Sequence, residues 1–271
     1  MSRILTATLS LLLVLAFGSV SMADNAAQEA KLKVKNLAKG AKTVKIADKA
    51  LEGAEEVDLF QAIADDQIEV GVIQGAMKGG KVFVKNKTDK PLSVRMPKAF
   101  GTRPVMGQNF GGGQLMGGGG MNGMGGMGGM GGMGGMGGMG GFQNVPPEAV
   151  TAVKYQSVCL EYGKPEPNAN MAYEICPINE VTNKAEVIFV VENLGNVDLR
   201  SAQFAAWHLN SGTPIEKLAS ETVLHANGVT TTNFSKQEVH QGLQLIQMAK
   251  AAAAKAAVPA ENTSEATSSA Y

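Results

Sequence analysis

The chain has 271 residues, with 24 Lys and Arg balancing 24 Asp and Glu, and a formal charge of zero at neutral pH. That balance argues against nucleic acid as the partner, since phosphate binding draws on an excess of Lys and Arg. Outside one glycine-rich tract, the apolar clusters suffice for one or two modest domains.

Met1–Ala23 reads as a secretory signal peptide. Arg3 supplies the positive start, Ile4–Phe17 the apolar stretch, and Ser21-Met22-Ala23 a cleavage site, so the mature chain is expected to begin at Asp24. The apolar stretch is shorter than the roughly 20 residues a membrane span needs, and nothing later supplies one. The expectation is an exported protein of the periplasm, cell envelope or medium, with no membrane span. No cysteine stands at the cleavage site after the apolar stretch, which argues against a lipid anchor.

Lys31, Lys33, Lys35, Lys39, Lys42, Lys45 and Lys49 then make the chain locally basic, before an acidic stretch from Glu52 to Glu69. Lys31-Leu32-Lys33-Val34-Lys35 alternates with period two and predicts one solvated face of a strand. The alternative is a basic arm that touches anionic lipid or cell-wall polymer.

Val57–Ala64 predicts a short helix and Ile68–Ile73 a strand. Lys81–Lys85 and Leu92–Met96 predict two strands of a hairpin, joined by the turn chemistry of Asn86–Pro91. From Phe110 to Phe142 the chain is almost wholly Gly and Met, with Met121, Met124, Met127, Met130, Met133, Met136 and Met139 at every third position. Glycine loses the most backbone entropy on ordering, so this tract predicts a flexible loop. Its thioethers are also soft ligands suited to copper or silver ions.

Beyond the tract, Val150–Glu161 alternates, with Val153, Tyr155, Ser157 and Cys159 on one face, and Ala172–Ile178 returns past the Pro165–Asn168 loop. The last third turns helical. Asn183–Asn193 predicts one helix, Asp198 caps a second through Trp207 to Leu209, and Gly212 ends it. Pro214 opens a third at its first turn. Ser235 and Glu238 have capping-box spacing before a helix to Ala257, with Val239, Leu243 and Ile246 along one side. The expected fold is α+β: an antiparallel β-sandwich-like domain (24–109 and 143–182), interrupted by the Gly/Met loop (110–142). A helical region (183–258) and a disordered tail (259–271) follow.

Catalytic signals are weak. His208, His225 and His240 lack metal-ligand spacing, and no nucleophile elbow, phosphate loop or dinucleotide fingerprint appears. The expectation is a non-enzymatic protein without cofactor, with a structural or binding role toward envelope or cell-surface components. Cys159 pairs nominally with His208 as a thiol nucleophile, but an apolar strand disfavours the thiolate. Two cysteines in an exported chain predict one Cys159–Cys176 disulfide, worth about 3 kcal/mol by chain entropy.

Lys81–Val94 and Val158–Pro167, with Gln203-Phe204-Ala205-Ala206-Trp207-His208-Leu209, resemble a group of exported planctomycete-type bacterial proteins of unassigned function. The resemblance covers most of the mature chain and implies a Gly-rich loop of variable length, but no activity. Gln203–Trp207 is also similar to the Q-x-A-x-W core of the TQXA thioester domains of surface adhesins, with Ala202 where that motif has threonine. That similarity implies a covalent adhesin whose Cys159 and Gln203 form an internal thioester. The spacing of the two residues is short for that family, and a disulfide at Cys159 excludes it.

Overall fold

The computed structural model describes residues 25–75, 79–105, 113–121, 140–168 and 171–257. The expected signal peptide and C-terminal tail lie outside them. A helix over residues 25–40 (α1) leads into Lys42–Thr43 (β1), Glu55–Asp58 (β2) and the helix Leu59–Ala64 (α2). Strands Ile68–Gln74 (β3), Gly80–Asn86 (β4), Leu92–Arg95 (β5), Ala99–Pro104 (β6) and Met116–Gly119 (β7) come next. Phe142–Val145 (β8), Val150–Cys159 (β9) and Tyr173–Pro177 (β10) complete the main sheets. Helices Ala185–Glu192 (α3), Leu199–Ser211 (α4) and Ile215–Ser220 (α5) precede a small hairpin, Thr222–Leu224 (β11) with Thr230–Thr232 (β12). The long helix Lys236–Ala257 (α6) is the last described element.

Six strands pair in the order β9-β4-β3-β10-β6-β7, and β7 pairs back onto β9. Every pairing in this ring is antiparallel, so the sheet closes into a barrel. Closure removes the exposed strand edges that an open sheet must protect. β1 adds in parallel to the first half of β9, along the side that β7 occupies further on. A separate sheet is formed by β2, β5 and β8.

Alternation sorts the side chains across the barrel wall. Val72, Val82 and Val153 share one cross-strand row and point inward, fully or nearly fully buried. Their neighbours Gly71, Phe83 and Ala152 point outward beneath α1, where Phe83 and Ala152 pack with Leu37. A Cβ on Gly71 would stand 2.8 Å from the Leu37 side chain, so glycine lets the helix lie against the wall. On the other side, α3, α4 and α6 pack over β7 and β9, with Val187, Val190, Val191, Phe204, Leu245 and Ile246 in the shared core.

The β-sandwich expectation is therefore wrong, although α+β stands: the domain is a closed barrel with helices on its outside. The expected hairpin is also absent. β4 pairs with β3 and β9, whereas β5 pairs with β2 and β8. The turn between them exists, but buried Asn86 redirects it. Its Nδ2 donates to Lys90 O at 2.6 Å and Val145 O at 3.1 Å, its Oδ1 accepts from Thr88 N–H at 2.8 Å, and the chain passes into the second sheet. The expected strand at Lys31–Lys35 is part of α1. Its buried residues Ala27 and Leu37, with half-buried Ala30, Val34 and Ala41, recur at helical spacing. The helix expected from Val57 starts at Leu59, because Asp58 caps it by accepting from the Phe60 and Gln61 N–H groups. Pro214 stands one position earlier than expected, as N-cap of α5.

The largest correction concerns the tract. The expected loop from Phe110 to Phe142 contains β7, buried along its whole length, and Phe142 belongs to β8. Its glycines are packing requirements. A Cβ on Gly117 would meet Val191 of α3 at 2.5 Å, and one on Gly118 would meet the Phe100 ring inside the barrel at 2.5 Å.

Replacing Gly111–Gly141 by a short Gly/Ser loop removes β7 and parts β6 from β9. We expect cooperative thermal unfolding and the near-UV circular dichroism signal to be lost. A deletion limited to residues 124–138 leaves every described strand in place and should melt close to the parent, because closure entropy changes by only about 0.6 kcal/mol per doubling of loop length. Parent-like melting of the larger deletion would show that β7 is not needed.

Candidate functional site

The end of β9 is where the sequence places its sharpest candidates, Cys159 and Gln203, and the structure brings them together. Met116 pairs with Cys159 across β7 and β9, and the following Leu160 N–H donates to Leu115 O at 3.0 Å. Main-chain polar groups alternate in direction along a strand, so Cys159 turns its own N–H and C=O away from β7. Among the described residues no strand lies on that side, since β4 begins at Gly80, which pairs with Tyr155. Helix α4 supplies the partner. Gln203 Oε1 accepts from the Cys159 N–H at 2.7 Å, and Gln203 Nε2 donates to Cys159 O at 2.8 Å.

The sequence of α4 explains how a helix comes this close. Asp198 accepts from the Ser201 N–H at 2.8 Å and caps it, and Gly212, at φ 67°, ends it in the left-handed conformation. Ala202, Ala205 and Ala206 are fully buried and too small to hold the helix away. Further along, Asn210 Nδ2 and Ser211 Oγ donate to Leu160 O at 2.7 and 2.9 Å, and Ser211 Oγ accepts from the Tyr162 N–H at 2.9 Å. One helix thus satisfies the last main-chain groups of β9.

This contact is not the one a thioester needs. Acyl transfer requires the sulfur at the Gln203 carboxamide carbon, whereas both ends of that amide are engaged by the Cys159 main chain. The Cys159 side chain alternates inward, in the row with Met116 and Thr102. Burial pushes its thiol up to about 12, with Glu166 adding to the shift, so at neutral pH the sulfur stays protonated.

Nor is the expected disulfide present: Cys159 and Cys176 are free and buried. The reason is topological. Two strands lie between β9 and β10 in either direction around the barrel. Cys176 alternates outward, opposite Gly101, where an added Cβ would stand 2.9 Å from its Sγ and 2.8 Å from Val181. The two sulfurs face opposite sides of the wall. Burial raises the Cys176 thiol to about 11, against the lowering effect of Arg103.

The inward face carries a polar cluster that the sequence only half exposes. Gln74 Oε1 accepts from Thr102 Oγ1 at 2.7 Å and from the Tyr155 hydroxyl at 2.6 Å, while its Nε2 donates to Ser157 Oγ at 2.9 Å and Gly75 O at 2.7 Å. All four side chains are buried. Burial first, and Tyr173 second, hold the Tyr155 hydroxyl well above its ordinary range. The alternation of β9 puts Tyr155 and Ser157 on the face of Cys159. Gln74 and Thr102 sit on strands whose partners only the closed topology defines.

The remaining candidates stay apart. Met121 is buried in the core, and Met124, Met127, Met130, Met133, Met136 and Met139 lie outside the described residues. His208 Nδ1 lies 2.9 Å from Thr213 O, His225 Nε2 lies 2.7 Å from Thr231 Oγ1, and His240 Nε2 lies 3.2 Å from Gln244 Nε2. Among the described residues no group of three His, Cys, Asp or Glu is placed to hold a metal ion, and no helix is long and apolar enough to cross a membrane. No family model, curated protein or solved structure matches the chain.

Gln203→Ala strands a buried N–H and a buried C=O on Cys159, each worth about 1–3 kcal/mol. We expect a urea-unfolding loss of about 2–6 kcal/mol by that principle. Gln203→Glu keeps the acceptor but sets a carboxylate against Cys159 O, so it should be destabilised at neutral pH and recover partly in acid.

Free thiols also make stability depend on pH. Below the unfolded value near 9.0 both states hold both protons. As pH rises from there toward 11 and 12, only the unfolded chain loses them, so stability falls through that window. Both cysteines should resist alkylation in the native protein at pH 8 and react fully in denaturant without reductant. Absence of reaction in denaturant would reveal a disulfide.

Proposed function

We propose that the chain is an exported, non-enzymatic protein of the cell envelope or extracellular space, with a structural or binding role. Arg3, Ile4–Phe17 and Ser21-Met22-Ala23 support export. One observation carries the non-enzymatic part: the Cys159 thiol is buried, which disfavours the thiolate, while its candidate acyl donor Gln203 is committed to holding the end of β9. A catalytic thiol needs an accessible, electropositive setting that favours the thiolate, and this site has the reverse character. The exported planctomycete-type group that Lys81–Val94 and Val158–Pro167 resemble is the family in which we place it. A Met-rich copper or silver function would rest on Met124–Met139, because Met121 is part of the core.

Native protein recovered from the producing cell should give an N-terminal sequence starting at Asp24, in the envelope fraction or the medium. Recovery of chains retaining Met1 from the cytoplasm would overturn export. Turnover of an amine or thiol substrate that disappears in a Cys159→Ser variant of parent-like stability would overturn the non-enzymatic reading.

A further inference from the structure

We propose that the outer face of α1 is a docking surface for an anionic lipid bilayer. The inference deepens the envelope reading by naming the partner, and it is tested separately from export. One seam of α1, from Ala27 through Val34 to Leu37, is spent on the barrel wall at Gly71, Phe83 and Ala152. At 100° per residue, the position diametrically opposite that seam is Leu32. Leu32 is 58% exposed, the second most exposed large apolar side chain after Leu224 among the described residues.

Lys31, Lys35 and Lys39, each exposed, follow at four-residue spacing and form one row beside this crest. Residues 25–49 carry seven Lys against Glu29 and Asp48, a local charge of +5 in a chain whose total is zero. Among the described residues the ion pair recorded within this segment is Lys33 with Glu69 at 3.8 Å, on the flank away from the row. The row therefore faces outward, with exposed Glu29 the one carboxylate of the helix, on the far side of Leu32.

Charge complementarity demands an anionic partner, and the rest of the surface chemistry selects a bilayer. The segment has no Arg and no aromatic residue for bidentate phosphate contacts or base stacking. It pairs instead one exposed leucine, Leu32, with long flexible Lys stems that can lie along acyl chains while their ammonium groups reach headgroups. The apolar face of α1 is packed on the barrel wall, so Leu32 is the one large apolar side chain the outer face offers a membrane, and the lysine row supplies most of the attraction. Here the helix is preformed and rigidly backed, so binding need not order it.

The test uses the chain from Asp24, which retains every described element, and vesicles of phosphatidylglycerol and phosphatidylcholine. We expect binding at low salt that weakens as the screening length falls, with no binding to pure phosphatidylcholine. The variant K31Q/K35Q/K39Q should lose roughly fivefold per Lys, about a hundredfold in all. Its circular dichroism and melting should match the parent, because no changed residue belongs to the buried seam. Leu32→Gln should weaken vesicle binding while leaving retention on a soluble polyanion, heparin, unchanged. Parent-like vesicle binding by the triple variant, or equal binding to neutral vesicles, would overturn the proposal. Undiminished vesicle binding by Leu32→Gln would overturn the bilayer as occupant in favour of a polyanion.

Discussion

The pairing of β7 with β9 closes the barrel, and almost everything else in the molecule depends on it. Without this four-residue contact the sheet has two free edges, the inward row of Thr102, Met116 and Cys159 loses a wall, and α3 has no surface on which to place Val191. The pairing is possible only for a strand with almost no side chains. Phe100 fills the barrel at Gly118, and α3 presses on Gly117 from outside, so the wall at β7 is one backbone thick. The usual weakness of glycine in strands is its entropy and missing side-chain contact. Here the neighbours on both faces supply the contact instead.

The same feature explains what could be read from the sequence. β3, β4, β9 and β10 were legible from alternation, and the caps at Asp198, Gly212 and Ser235–Glu238 were legible because capping is local chemistry. Pairing was not. A barrel and a sandwich share the same period-two pattern, and the strand that distinguishes them reads Met-Gly-Gly-Gly inside a low-complexity tract. α1 was missed for a related reason. The lysines of Lys31–Lys35 alternate conspicuously, whereas the helical period is written in alanines, which carry little hydrophobic signal.

At the candidate site the sequence picked two residues that do meet, for a reason it could not reveal. Gln203 is buried beside Cys159 because an unpaired strand end inside a protein must find donors and acceptors. The Gln74 cluster follows the same rule on the inward face: each amide hydrogen and both accepting directions of Oε1 are used. Tyr155 also stacks edge-on against Phe100, with ring centroids 5.0 Å apart. A buried network satisfied this fully specifies one arrangement of its strands. Both sites are thus instances of backbone and amide bookkeeping within a narrow barrel, which a linear motif search reads as chemistry.

β7 sits beside seven near-identical triplets, an arrangement that invites the wrong repeat to occupy the slot. The geometry forbids it. Gly117–Gly120 is the only run of four consecutive glycines in the chain, whereas Met121 is followed by Asn-Gly and each later Met in the repeat by two glycines. A shift onto any later triplet would put a methionine, or Phe142 for the last one, where Gly119 approaches the Val191 carbonyl, and a shift back to Phe110 would put Gln114 at the left-handed position of Gly120, φ 58°. The strand therefore has a single address within a degenerate tract. Replication errors can lengthen or shorten the triplets beyond it without creating a competitor for the barrel wall.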